Sequence, residues 1–125
     1  MVTRNEITIT NITRLPSGRG IVAEYRGIWL VNVYAPPGTA KLLERERFYN
    51  NEFPYLLKAS PSNIIFGGDF NCVLNQTDST GHFNYSEALD GLVRGFELHD
   101  MWRADPLRIV FTLYSPMGAS RIDRI

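Results

Sequence analysis

Apolar and polar residues follow two different periods along this chain, and the switches between them mark out its elements. Ile7-Thr8-Ile9-Thr10 alternates apolar and polar, as a half-exposed strand does. Leu15 to Gly20 is turn-rich. Ile21 to Tyr25 and Ile28 to Tyr34 are β-branched runs separated by Arg26-Gly27, which predicts a hairpin. Pro36-Pro37-Gly38 stops the second run. From Lys41 to Ala59 the period lengthens. Leu42, Tyr49, Phe53, Leu56 and Leu57 recur at helical spacing, with Glu44, Arg45, Glu46 and Arg47 on other faces. Pro54 has no amide hydrogen and crowds the preceding turn, so the helix should kink or split there. Ser60-Pro61-Ser62 closes it.

Ile64-Ile65-Phe66 is short and apolar, as a strand buried on both faces would be. Gly67-Gly68 then predicts a tight turn. Asp69 and Asn71 follow, held at a strand end with their tips open to a ligand. Taken alone, Gly-Asp-x-Asn also describes an ordinary turn. Asn75 to Asn84 is polar and predicts an irregular loop. Ser86 is a good N-cap for a second helix to about Leu98, with Leu89, Leu92, Val93 and Phe96 facing the core. Asp100 to Pro106 predicts an ordered turn. Val110 to Tyr114 and Ser120 to Ile125 predict a hairpin with Ser115 to Ala119 at its tip. Strands and helices mixed in this order predict an α/β layered architecture.

Composition narrows the function classes. At 125 residues, one domain or less is expected. A hydrophobic content of 44% with 21% charged residues fits an ordinary globular protein. Thirteen basic and 13 acidic residues cancel, which argues against tight non-specific binding to DNA by this chain but not against a locally basic cleft. The single cysteine, Cys72, excludes an internal disulfide, fits a reducing compartment and predicts a small buried side chain. No run of about 18 apolar residues and no charged-then-apolar leader is present, so neither a membrane span nor a signal peptide is expected.

Three phrases give these elements a chemistry. They are Val31-Asn32-Val33-Tyr34-Ala35-Pro36, Phe66-Gly67-Gly68-Asp69-Phe70-Asn71 and Ser120-Arg121-Ile122-Asp123, with Asp100-Met101-Trp102-Arg103 between the last two. In this order the chain resembles the endonuclease/exonuclease/phosphatase superfamily. More narrowly, it resembles the apurinic-site-type endonuclease domain at the front of non-LTR retrotransposon proteins. The resemblance covers nearly the whole chain. It implies a partial four-layer α/β sandwich of the DNase I-like type, with helices flanking the sheets and the active site at one rim. It also implies missing parts. The family's metal-binding Glu and Asn precede the Tyr-x-Pro strand, and Asn5, Glu6, Asn11 and Glu24 stand in other phrases. The family's closing Ser-Asp-His has no counterpart, and neither His82 nor His99 follows an Asp. Residues 1–125 are therefore expected to be one partial domain, truncated at both ends, with marginal stability and with sheet edges and apolar faces exposed.

The resemblance also assigns roles. Asp69 orients and deprotonates the attacking water. Asn71 donates to a phosphate oxygen or holds Asp69, and Asp69 and Asn71 hold Mg²⁺. Tyr34 reaches the phosphate with its hydroxyl. Asp123 hydrogen-bonds the imidazole that the chain lacks. Thr112, Ser120 and Arg121 flank the place where relatives extend a hairpin toward DNA, and Arg121 and Arg19 are candidates for backbone phosphates. Trp102 is expected to be scaffold. The expected reaction is a Mg²⁺-dependent nick in one DNA strand, with this chain inactive on its own. In the parent protein a reverse transcriptase is the expected neighbour, and the location intracellular, nuclear for the parent. The alternatives are a phosphatase or phosphodiesterase of the same superfamily, and a retroelement remnant without function.

Overall fold

Five strands form one sheet, in the order β1-β2-β3-β4-β7. The computed structural model describes residues 7–59, 61–81, 84–104, 111–116 and 118–125. The strands are β1 Thr10–Arg14, β2 Gly20–Tyr25, β3 Ile28–Tyr34, β4 Ile64–Asp69 and β7 Asp123–Arg124. A second, two-stranded sheet pairs β5 Leu113–Ser115 with β6 Gly118–Ser120. Among the described residues three α-helices, α1 Leu42–Glu52, α2 Pro54–Ala59 and α3 Glu87–Gly95, lie between strands. β2 and β3 form the expected hairpin, turning at Arg26-Gly27. β1 runs Thr10–Arg14, so only the last residue of the alternating stretch 7–10, which predicted a strand, lies in one. The expected C-terminal hairpin is divided: β5 pairs with β6, while β7 leaves it and joins β4. His82, Pro106 and Val110, and the side chains of Leu57 and Trp102, lie outside what is described.

One face of the main sheet forms the core. Val22, Val31, Val33 and Phe66 point to it and meet Phe48, Tyr49, Phe53, Leu56, Leu89 and Leu92 from the helices. The aromatic rings pack edge to face, with Phe53 5.3 Å from Phe66 and 5.4 Å from Phe48. Among the described residues, no helix covers the other face. Ile65 is 49% exposed, so β4 is not buried on both sides as its apolar run predicts. Helices α1 and α3 pack on each other and cover only the Phe66 side.

Pro54 splits the helical stretch as expected. It occupies the first position of α2, where its missing N–H costs nothing. The faces of α1 differ from the expected ones. Leu42 is 43% exposed, whereas Arg45 is wholly buried. The Arg45 guanidinium donates to the carbonyls of Pro36 (3.1 Å) and Gly38 (2.9 Å) and to Asn84 Oδ1 (2.6 Å). Burial is tolerable for this charge because it satisfies loop carbonyls that would otherwise be unpaired. Ser86 caps α3 as expected, its Oγ accepting from Leu89 N–H at 3.1 Å. Glu46 on α1 accepts from Ser86 Oγ and from Ala88 N–H, which fastens the two helices at that cap.

Cys72 is fully buried, and burial pushes its thiol up to about 11. The thiolate is the reactive form. The folded chain at pH 8 should therefore react with a thiol reagent on the order of 100-fold more slowly than the chain in guanidinium. Equal rates would contradict this packing.

Candidate active site

The close approach of β3 and β4 places the site. Gly67 and Gly68 form no turn; the strand continues through them to Asp69. Gly68 has φ +131°, and a Cβ there would fall 2.1 Å from the Val33 carbonyl oxygen. Glycine is needed because β3 passes directly beside it. The parallel register sets Tyr34 beside Asp69, and the antiparallel register of β7 sets Asp123 on the other side of Asp69. Strand alternation turns all three side chains to the open face, away from Val33 and Phe66. Tyr34 is 52% exposed, Asp123 is exposed and Asp69 is half-buried.

Asn71 joins this row by way of the backbone. It takes a left-handed conformation, φ 49°, and its N–H donates to Asp69 Oδ1 at 2.9 Å. Its Nδ2 donates to the Ala35 carbonyl at 2.7 Å, which joins the exits of β3 and β4. Asn84 Nδ2 donates to the Asn71 carbonyl at 3.0 Å, and Arg45 holds Asn84 in turn. A chain of hydrogen bonds thus runs from the core to Asp69. Burial raises the Asp69 carboxyl above its ordinary value. The Asn71 N–H opposes this, and the neighbouring Asp123 charge adds to it.

Arg19 lies at the rim, its guanidinium 5.7 Å from the Tyr34 ring centroid and 3.9 Å from Glu44. Thr112 is used internally: its Oγ1 accepts from the N–H groups of Ile122 (3.1 Å) and Asp123 (3.2 Å) and so fixes the start of β7. Ser120 Oγ meets Ser79 Oγ at 3.2 Å. Arg121 is not presented to a phosphate backbone. It is buried, donating two bonds to Asp100 (3.1 and 2.6 Å) and one to Asp78 (3.1 Å). Its charge is committed to those carboxylates.

Arg121 belongs to a buried cluster that the sequence reading missed. Asp78 also accepts from Arg103 (2.5 Å), from Arg124 (3.3 Å) and from Asn75 N–H (3.2 Å). Arg124 donates further to the Cys72 and Arg121 carbonyls. Burial works to raise the Asp78 carboxyl, but Arg121, Arg124 and Arg103 together hold it below its ordinary value. The cluster fastens β7, and hence Asp123, to the loop after β4. Its sequence signals were Arg121 and Arg124, two cations beside an apolar position in a strand, and the Asp100-Met101-Trp102-Arg103 phrase, whose two charged ends both join it.

Two carboxylates and a carboxamide are hard oxygen donors of the kind Mg²⁺ takes. The donor chemistry fits, but the number is low. Among the described residues, no three acidic, histidine or cysteine side chains converge on a metal-sized position. His99, the one histidine described, lines a groove with Phe96 and Leu98 instead of meeting this row. Among the described residues, no helix is long and apolar enough to cross a membrane.

No family model and no curated protein sequence matches the chain. Solved structures do match its fold. A 3′ phosphatase from Neisseria bound to a product DNA hairpin superimposes with TM-score 0.74 at 18% identity. A 3′–5′ exonuclease from Neisseria meningitidis gives TM-score 0.73, and an AP endonuclease from Archaeoglobus fulgidus gives 0.74, both at 19% identity. Each comparison covers 94% of this chain and 58% of the neighbour. The chain thus has the DNase I-like α/β fold of these neighbours, over 58% of their length.

Proposed function

We propose that the chain is part of a phosphodiester hydrolase that acts on DNA, and specifically part of a Mg²⁺-dependent endonuclease domain of the non-LTR retrotransposon type. The row Tyr34–Asp69–Asp123 on three adjacent strands is the observation that carries this reading. Asp69 is placed to aim a water at phosphorus and to take its proton. Tyr34 offers an exposed hydroxyl to a phosphate oxygen. Asn71 holds the Asp69 carboxylate through its N–H, so of its two expected roles the geometry favours positioning. Asp123 is available to orient a base or a metal-bound group supplied by further chain. Asp69 and Asn71, with Asp123 alongside, would hold Mg²⁺, which would neutralise charge on the phosphate.

The retrotransposon assignment rests on the three sequence phrases, and with it a reverse transcriptase in the same parent polypeptide. The DNA substrate is supported by the DNA hairpin bound to one structural neighbour. That neighbour's name also favours a second reading, removal of a 3′ phosphate from DNA. Two assays separate the readings: conversion of supercoiled plasmid to open circle, and phosphate release from a 3′-phosphorylated oligonucleotide. We expect the 125-residue chain to give neither above a buffer control. A longer parent polypeptide should nick plasmid in Mg²⁺. Phosphate release without nicking would replace the endonuclease with a phosphatase. Activity in neither assay from the longer polypeptide would overturn both.

A further inference from the structure

We infer that Arg45 and Asn84 are positioning residues for Asp69, and that they act together by clamping the backbone of Asn71 from two sides. The inference rests on the reading of Asp69 as the group that aims and deprotonates the attacking water. Asn71 is left-handed, φ 49°, and from that conformation its N–H meets Asp69 Oδ1 at 2.9 Å. Asparagine tolerates this region without preferring it, so its surroundings must hold it there. Two arms do so. One is the loop after β3, whose Ala35 carbonyl accepts from Asn71 Nδ2 at 2.7 Å. The other is Asn84, whose Nδ2 donates to the Asn71 carbonyl at 3.0 Å. The backbone of Asn84 is fixed close by, since its own carbonyl accepts from Val73 N–H at 2.9 Å.

Arg45 is where the two arms meet. One terminal nitrogen of its guanidinium donates to the Pro36 and Gly38 carbonyls, which fixes the chain just past Ala35. The other donates to Asn84 Oδ1. A guanidinium has no acceptor, so it faces the oxygen of the Asn84 amide and turns the NH₂ toward Asn71. Arg45 therefore decides which way that amide points. The planar fork spans both loops, which the single ammonium of a lysine would not. The Arg45 side chain is wholly buried, and among the described residues no carboxylate pairs with it. Burying a charge without a counter-ion opposes folding. Among the described residues its acceptors all lie on the two arms, so the placement of Asn71 is what this charge accomplishes.

Asn84→Asp separates placement from folding. The carboxylate keeps and strengthens the bond from Arg45 but brings no hydrogen to the Asn71 carbonyl. In the 125-residue chain this variant should melt no lower than the wild type. Its amide exchange should be about tenfold faster at Asn71 and unchanged along β3. The added negative charge by itself slows base-catalysed exchange, so a rise at Asn71 reports its release. In the longer parent polypeptide that nicks plasmid, the same variant should lower kcat by about tenfold or more, the usual effect of losing an outer partner of this kind, with KM unchanged. Unfolding of Asn84→Asp, or exchange that rises equally along β3, would make Asn84 a fold residue and overturn the inference. So would unchanged exchange at Asn71, or faster exchange there with kcat unchanged. An inactive wild-type polypeptide is a different failure: it would overturn the hydrolase reading, and the Asn71 exchange rates would be the same either way.

Discussion

Asp69→Ala in a catalytically complete polypeptide should lower the rate of phosphodiester cleavage by at least about 10²–10³-fold, the usual cost of removing one preorganised electrostatic group. Stability should not fall with it. Burial, and then Asp123, raise the folded-state carboxyl above its unfolded value. The ionised form is therefore disfavoured by the fold, and Asp69 opposes folding at neutral pH. That cost disappears as pH falls through the folded-state value, and at pH below about 3.8 both states are protonated. Asp69→Asn should thus melt at the same or a higher temperature than the wild type at pH 7, and the gain should vanish at pH 3. A site that holds charge at the expense of stability is a mark of function. If Asp69→Asn lowers the melting temperature at pH 7 while abolishing activity, Asp69 is structural and the assignment fails.

Asp78→Ala should destabilise the chain by about 3–5 kcal/mol, the range for removing one partner of a buried ion pair. Domains of this kind hold about 5–15 kcal/mol in all, so much of the population would unfold. Asp78 is 3% exposed, and its loss leaves Arg121 and Arg124 buried beside Asp100 alone. The pH dependence has the opposite sign to that of Asp69. The folded-state carboxyl of Asp78 is depressed, so its contribution is present above the unfolded value of about 3.8 and is lost as pH falls through the folded one. The control is Glu44→Ala, which removes exposed pairs with Lys41 and Arg19 and should cost about 0.5 kcal/mol or less. Urea titrations of both variants at pH 7 test this. Equal midpoints would show that the cluster contributes nothing beyond a surface pair.

The elements that were legible from sequence are those set by local chemistry. The Arg26-Gly27 hairpin, the break at Pro54 and the Ser86 cap each depend on one or two residues acting on their own backbone. The site phrases were legible for a related reason: Tyr34, Asp69 and Asp123 each sit beside apolar strand residues. That they share one row depends on register, which the sequence does not state. Other features were hidden because tertiary partners decide them. Arg45 carries the same charge pattern as its solvated neighbours, and only the Pro36, Gly38 and Asn84 acceptors bring it inside. Asp78 sits in a polar loop, where an aspartate ordinarily caps a turn. It does cap one here, while also collecting three arginines from distant positions. Gly67-Gly68 was misread as a turn because the requirement for glycine at Gly68 comes from Val33 on β3, 35 residues earlier in the chain.

The central claim is that Tyr34, Asp69, Asn71 and Asp123 form a cation-assisted phosphate site. The measurement closest to it is amide NMR of the 125-residue chain titrated with Mn²⁺, a paramagnetic ion that takes the same oxygen donors as Mg²⁺. The account predicts broadening centred on residues 34, 69, 71 and 123, with an affinity of about millimolar given so few ligands, and its loss in Asp69→Asn. Broadening that centres elsewhere, or that persists unchanged in Asp69→Asn, would contradict it.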